Sequence, residues 1–450
     1  MKAGAAEVRL ELPVGIPLMG YGARQGVAQA VHDPLHTRAL YLESGGRALL
    51  VQLEVCLLAV SQARALRERI ARRTGLAPQE VWIAATHTHS GPETGIGAVL
   101  AGEAPPAWVE PILDAAVEAA GWAVRRAARA RIGLGSARAA IGRNRREPGG
   151  TVDPEVVVLR VDGAGGTPRA IAFVHGTHPT VLGHENLEYS ADWPAAAAAT
   201  VRAAFPSALP IFLLGAHADV DPRTRGLQDL AQTGQSLGAG FEACAALGRE
   251  LGLAVAESAA RIETRDDLEV RALGRSVTLP VHGAGDGEDA RRERLARRAA
   301  EAARALGLDP AEPVRVARLL ALERERTEGL PAEERRERIS RVRLFVRDRT
   351  AERVAGGLRP DVLVQLLRIG SAAWLGLPAE ATAEVGLAWK AGRAPGSALL
   401  SNVGGWLRYL PHPDRFRAPA GEQHYEVLMS TFEPGAALAL LAAGEALALA

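Results

Sequence analysis

Cysteine is nearly missing from this 450-residue chain: Cys56 and Cys244 are the only two. Two thiols exclude a disulfide framework, and without a Cys-x-x-Cys pair a structural thiolate zinc site is excluded too. Both cysteines sit among apolar neighbours and read as small core residues. An excess of charge of either sign is also missing. Lys and Arg number 53 against 52 Asp and Glu, a formal net charge of +1. That balance supplies neither a basic field for a nucleic-acid backbone nor an acidic solvating tail. No apolar run reaches the roughly 18 residues that a membrane helix requires. The opening "MKAGAAEVRLELPVGIPLMGYG" lacks the sustained apolar stretch of a signal peptide. The stretch "GAALALLAAGEALALA" comes nearest to a span, and its Glu445 suits a packed helix better. The resulting expectation is a cytoplasmic protein without a nucleic-acid partner and without stable membrane insertion.

What the chain has is ordinary core material, 48% hydrophobic and 23% charged residues. Short apolar runs alternate with amphipathic stretches, which predicts an α/β fold, a layered mixed sheet with flanking helices. "RALLVQLEV" (47–55) reads as a strand and "SQARALRERIARRTG" (61–75) as a helix, with Ser61 as N-cap and Gly75 past its end. "EVWIAAT" (80–86) is the next strand, and 155–161 with 169–174 forms a hairpin. Further strands are expected at 209–215 and in the last ninety or so residues. Between 285 and 350 the composition turns to Arg and Glu at helical spacing, as in "GEDARRERLARRAAEAARALG". This predicts a charged helical insertion laced by i,i+4 ion pairs within a single 1–450 catalytic unit.

The reactive residues concentrate where strands end. His87 and His89 of "THTHSGP" follow one apolar run, and His175, His178, His184 and Asp192 follow another. His217, Asp219 and Asp221 lie in "GAHADVDPR", Glu380 in "GLPAEAT", and Tyr409 and His412 in "NVGGWLRYLPHP". Five polar loops leaving apolar strands can build a site along one sheet edge. A His-x-His pair at a strand end can hold a metal, pack as two structural imidazoles, or lie in a hydrogen-bonded turn. His and carboxylate donors suit zinc with a position left for water. A His-x-His-x-Asp-His metal signature fits poorly, because Gly91 and Pro92 stand where Asp and His are needed. A barrel-type amidohydrolase fits poorly as well, since at least two strands precede the pair.

Taken in order, "THTHSGP", "HPTVLG…SADWP", "ADVDPR", "LPAE" and "YLP…HYE" resemble the catalytic domain of the neutral/alkaline, non-lysosomal ceramidases and their wider bacterial family. The segment "GYGARQGVAQAVHDPLHTRALYL" is similar to that family's opening segment, so the resemblance runs along essentially the whole chain. It implies a zinc-dependent amide hydrolase of α/β architecture acting on a small N-acyl substrate, with sphingolipid metabolism as the setting. Carried over, the zinc ligands are His87, His178, Glu380 and Tyr409. His178 is chosen over His175 because the family's ligand precedes the Asp of its "SAD" segment by fourteen residues, and that Asp is Asp192 here.

Arg145 in "GRNRREPGG" matches the family's active-site arginine. His89 is expected to serve the developing oxyanion or pass a proton to the leaving amine. Asp219 and Asp192 are expected to orient imidazoles, Asp192 alternatively to cap the helix "PAAAAATVRAAF". Asp221 stands where the family carries a functional serine, and "NRRE" replaces "NRSP". The family's C-terminal β-sandwich is not expected here. Two other readings remain open at this stage, a zinc esterase or lactonase on the same site and a zinc-binding chain without turnover.

Overall fold

The computed structural model describes residues 1–100, 102–225, 237–283, 287–311, 316–327, 329–357, 361–418 and 424–450. Its centre is an eight-stranded sheet in the spatial order Leu209–Leu214, Pro168–His175, Glu155–Gly163, Ala128–Arg138, Lys2–Arg9, His36–Glu43, Arg47–Leu53, Val81–Ala85. The two outermost pairs are parallel and the inner pairs antiparallel, so the sheet is mixed. All five residues of Val81–Ala85 are buried, as expected for a strand covered on both faces.

Four layers follow from where the apolar faces go. Leu40, Leu42, Trp82, Ile132 and Leu159 pack against Leu367, Ile369, Trp374 and Leu400 of a second sheet. That sheet runs in the order Val270–Thr278, Asp361–Ile369, Ala372–Gly376, Ala398–Leu400. On the outer face of the large sheet, helices Val60–Thr74 and Val109–Arg125 cover one half and Trp193–Ala204 with Gly240–Arg261 the other. Helices Ala383–Lys390 and Ala436–Ala448 cover the small sheet. The layered α/β expectation holds.

Helix Val60–Thr74 ends as its sequence predicts: Gly75 adopts a left-handed φ of 71° and its N–H bonds the Ala71 carbonyl at 2.9 Å. Its start differs. Ala59 is the N-cap, and Ser61 lies inside the first turn, exposed. The cause is Gln62, whose Oε1 accepts from the Ala59 N–H at 2.9 Å and so begins the helix earlier.

Between strands Val270–Thr278 and Asp361–Ile369 lie helices Glu288–Ala305, Val316–Thr327 and Ala332–Gly357. They share a small core of their own that includes Leu295, Leu306, Leu319, Val342 and Phe345. Arg338–Glu334 (2.7 Å) and Arg341–Glu337 are i,i+4 pairs on the last of them. Residues 285, 286, 312–315 and 328 of the expected insertion lie outside the described residues. No helix among the described residues is long and apolar enough to cross a membrane.

One connection decides where the site forms. Val81–Ala85 and Leu209–Leu214 are opposite edges of the large sheet, yet one segment bonds both. The Ser401 N–H donates to Leu214 O (2.9 Å), the Ala85 N–H to Asn402 O (3.3 Å), and the Gly404 N–H to Ile83 O (2.7 Å). The sheet therefore curls until its edges face each other across residues 401–404. The loops leaving both edge strands converge at one end.

Candidate metal centre

At that convergence three imidazoles surround one carboxylate oxygen. Glu380 Oε2 lies 3.5 Å from His87 Nε2, 3.6 Å from His178 Nε2 and 3.6 Å from His217 Nε2, with all four side chains buried. Donors held about 2.1 Å from one ion in a tetrahedral shell stand roughly 3.4 Å apart, which these spacings approach.

Each ring is oriented by its other nitrogen. His87 Nδ1 meets the Cys56 carbonyl, His178 Nδ1 the Val220 carbonyl and His217 Nδ1 the Gly215 carbonyl, each at 3.1 Å. A carbonyl only accepts, so each Nδ1 carries the proton and each Nε2 turns a lone pair inward. His217 Nε2 and Glu380 Oε2 have no hydrogen-bond partner among the described residues. Two buried polar atoms left so, facing two more donors, are costly unless a cation joins them. The donor set thus fits a divalent metal ion. Nitrogen and oxygen donors of this kind suit zinc.

Electrostatics agree. Burial pushes His87 down to about 3, against the pull of Glu380, and pushes His217 down to about 4. Both imidazoles are therefore neutral, as ligands must be.

The elements explain the placement. His87 ends the edge strand in a left-handed conformation, φ 68°, its N–H bonded to Val55 O at 3.0 Å. His178 follows Pro168–His175, and Asp192 ties its loop down by accepting from the Val181, Leu182 and Trp193 N–H groups at 3.1, 2.9 and 2.7 Å. Asp192 is thus also the N-cap of Trp193–Ala204. His217 follows the other edge strand, its N–H on Ala381 O at 2.9 Å. Glu380 pairs with Tyr409 in a two-residue parallel ladder, and its Oε1 accepts from Trp406 Nε1 at 2.6 Å.

The remaining residues that the sequence points to lie around this cluster. His89 Nε2 is 3.2 Å from His87 Nε2, and His89 Nδ1 has no partner among the described residues. Its ring stands edge-on to Tyr21 at 4.6 Å. Gly20, at φ 109°, makes room for it: a Cβ there would lie 2.3 Å from His89 Cγ. The Tyr409 ring lies 5.5 Å from Tyr425 and 6.0 Å from the Arg145 guanidinium.

Arg145 is buried on carboxylates of the chain itself, Glu426 (Nη2 to Oε1, 2.6 Å) and Asp221 (3.4 Å). Asp221 also stands 3.7 Å from His178 Nδ1, so this carboxylate faces groups of the chain itself. Asp219 Oδ2 accepts from Asn144 at 3.1 Å and Oδ1 from the Ala383 N–H at 2.8 Å, which joins the Arg145 loop to the Glu380 loop. Burial lifts its carboxyl to about 6.

Two members of the site had no assigned role in the sequence. His217 was visible as a histidine closing an apolar strand, like His87. Glu426 was visible only as the last letter of "HYE". Cys56, His87 and His89 also lie close together. Cys56 Sγ, however, approaches His87 on the Nδ1 side, 3.7 Å away, opposite the lone pairs. Burial also raises its thiol far above the usual value, so no thiolate is offered.

No protein-family model matches the chain, and no curated protein does either. Among solved structures, the neutral ceramidase from Pseudomonas aeruginosa superposes with a TM-score of 0.71 at 18% identity, over 100% of this chain and 74% of that one. A structure described as ceramidase complexed with C2 gives 0.69 at 17% identity, over the same shares. The fold built above, sheet upon sheet between helical layers, is the fold of the neutral ceramidases.

Proposed function

We propose that this chain is a zinc-dependent hydrolase of linear amides that cleaves an N-acylated substrate with an activated water. The observation that carries the reading is the convergence of His87, His178 and His217 Nε2 on the unpartnered Glu380 Oε2. The likeness to ceramidase structures supports an amide, and a ceramide-like lipid is one member of that class. A zinc ion in this cluster supplies Lewis acidity, activating water as nucleophile and drawing charge from the scissile carbonyl.

The chain's own residues do the rest. His87, His178, His217 and Glu380 would hold the ion, one donor more than the three protein ligands usual beside a zinc-bound water. Tyr409, one strand pair away from Glu380, is therefore assigned as a hydrogen-bond donor to the developing oxyanion, and it extends the ligand set if it reaches the ion. His89, whose Nδ1 is without a partner among the described residues, is assigned proton transfer to the leaving nitrogen. Arg145 holds Glu426 and Asp221 in place and keeps positive charge beside Tyr409. Asp219 positions the two loops it joins.

The test is metal analysis of purified protein together with release of free fatty acid from N-acyl sphingosine, N-acyl ethanolamine and N-acyl amino acid substrates. We expect one zinc per chain, activity lost on chelation, and activity restored by zinc. Zinc-loaded protein that cleaves none of these amides would refute the assignment.

A further inference from the structure

The arginines around the site are engaged, with one exception. Arg145 and Arg146 hold Glu426, and Arg343 holds Glu323 at 2.6 Å. Arg24 donates to the Met19, His89 and Gly183 carbonyls. Arg225 donates to Tyr21 and Thr180. The Arg408 guanidinium has no hydrogen bond and no carboxylate at ion-pair distance among the described residues; it lies only over the Trp406 ring, 5.6 Å from the centroid.

Its position is close to the chemistry. The Arg408 carbonyl accepts the Glu380 N–H at 3.0 Å, its neighbour Tyr409 pairs with Glu380, and Trp406 bonds Glu380 Oε1. Its backbone is in the left-handed region at φ 74°, which a non-glycine residue adopts at a cost. A half-buried guanidinium with no counterion is a second cost. Burial lowers its proton affinity, and the charged or polar groups acting on it are Tyr425, Tyr409, Arg343 and Glu380. Trp406, Tyr409 and Tyr425 add apolar wall beside it. A neutral lipid head group would leave this cation without a counter-charge.

We propose that Arg408 receives the carboxylate of an N-acylated amino acid, which makes the chain's substrate an anionic amide and not a neutral one. The inference rests on the amide-hydrolase reading above. An anion that reaches Arg408 while its amide sits beside Glu380 must carry the two groups close together, as an α-carboxylate does. Water adds to the acyl carbon, the carbon–nitrogen bond breaks, and the nitrogen takes up the proton. A fatty acid and a free amino acid result.

Three probes separate the possibilities: N-dodecanoylglycine, its uncharged counterpart N-dodecanoylglycinamide, and N-dodecanoylethanolamine. We expect kcat/KM for the carboxylate probe to exceed that for the glycinamide by roughly ten- to a hundredfold, the worth of a charge-assisted hydrogen bond. Arg408→Gln should erase that ratio, mainly through KM, and Arg408→Lys should restore part of it. Calorimetry on chelator-stripped protein gives a readout independent of turnover. N-dodecanoylglycine should bind the unsubstituted chain more tightly than the glycinamide, and Arg408→Gln should level the two. Equal losses on both probes, in rate and in binding, would make Arg408 a support for Trp406 and overturn the inference. Cleavage of the neutral probes alone would overturn it while leaving the amide-hydrolase reading intact. Zinc-loaded protein that cleaves none of the three would remove that reading, and calorimetry would still decide the carboxylate site.

Discussion

Replacing His217 with alanine deletes one of the three imidazoles facing Glu380 Oε2, and its effect should depend on whether metal is bound. Groups that only support a ligand are worth about 10–100-fold in metal affinity, so a direct ligand should cost about a thousandfold, or ~4 kcal/mol. In chelator-stripped protein two opposite terms nearly cancel. Removing a buried side chain costs about 2–4 kcal/mol, and removing its unpartnered Nε2 returns about 1–3. Stripped protein and stripped variant should therefore unfold at similar temperatures, while with zinc present the variant should lack most of the metal-induced stabilisation. Competition with a chromophoric zinc chelator measures the affinity directly and needs no reversible unfolding. His175→Gln is the matched control: equally buried, one loop away, its Nδ1 on the Glu155 carbonyl at 3.2 Å and outside the cluster. If His217→Ala bound zinc as tightly as the unsubstituted chain, the four-donor centre would be wrong.

Other consequences are as specific. Arg145→Met leaves Asp221 and Glu426 without their shared buried cation and should lower stability by about 3 kcal/mol, read by chemical denaturation; a loss within experimental error would count against the network. His175 is pushed by burial from its ordinary 6.5 to about 4. The unfolded chain then binds the extra proton first, so stability falls as pH drops from 6.5 towards 4, by about 3 kcal/mol in all. His175→Gln should flatten that part of the pH–stability curve, and an unchanged curve would refute the assignment. Gly20→Ala puts a methyl group against the His89 ring. It should leave zinc content unchanged and reduce kcat by about tenfold or more, as loss of a positioned proton donor does; full activity would free His89 of its role.

Local chemistry was legible in the sequence and long-range closure was not. Apolar runs such as Val81–Ala85 announce buried strands, and Gly75 announces a helix end, because those signals act within a few residues. Lys2–Arg9, "KAGAAEVR", carries little intrinsic strand preference. It is a strand because all eight of its residues pair with His36–Glu43. The loops bearing His87, His178 and Glu380 could be picked out from strand ends and ordered motifs. His217 could not be ranked above its neighbours until the two sheet edges were seen to meet, since its partners are fixed by hydrogen bonds from residues 401–404. Arg408 carries no sequence signal. Only the lack of a counterion around it singles it out.

The curled sheet also imposes an order on biosynthesis. While the first two hundred or so residues leave the ribosome, Val81–Ala85 and Leu209–Leu214 are bare edge strands, each open to pairing with another chain. The residues that stitch them together lie almost two hundred positions beyond the second of those strands. Glu380 also emerges late, so the three histidines wait without their carboxylate. The full donor set therefore exists only once residue 380 has emerged. A nascent chain stalled short of residue 400 would present both edges to whatever chaperone, or sister chain, reaches it first.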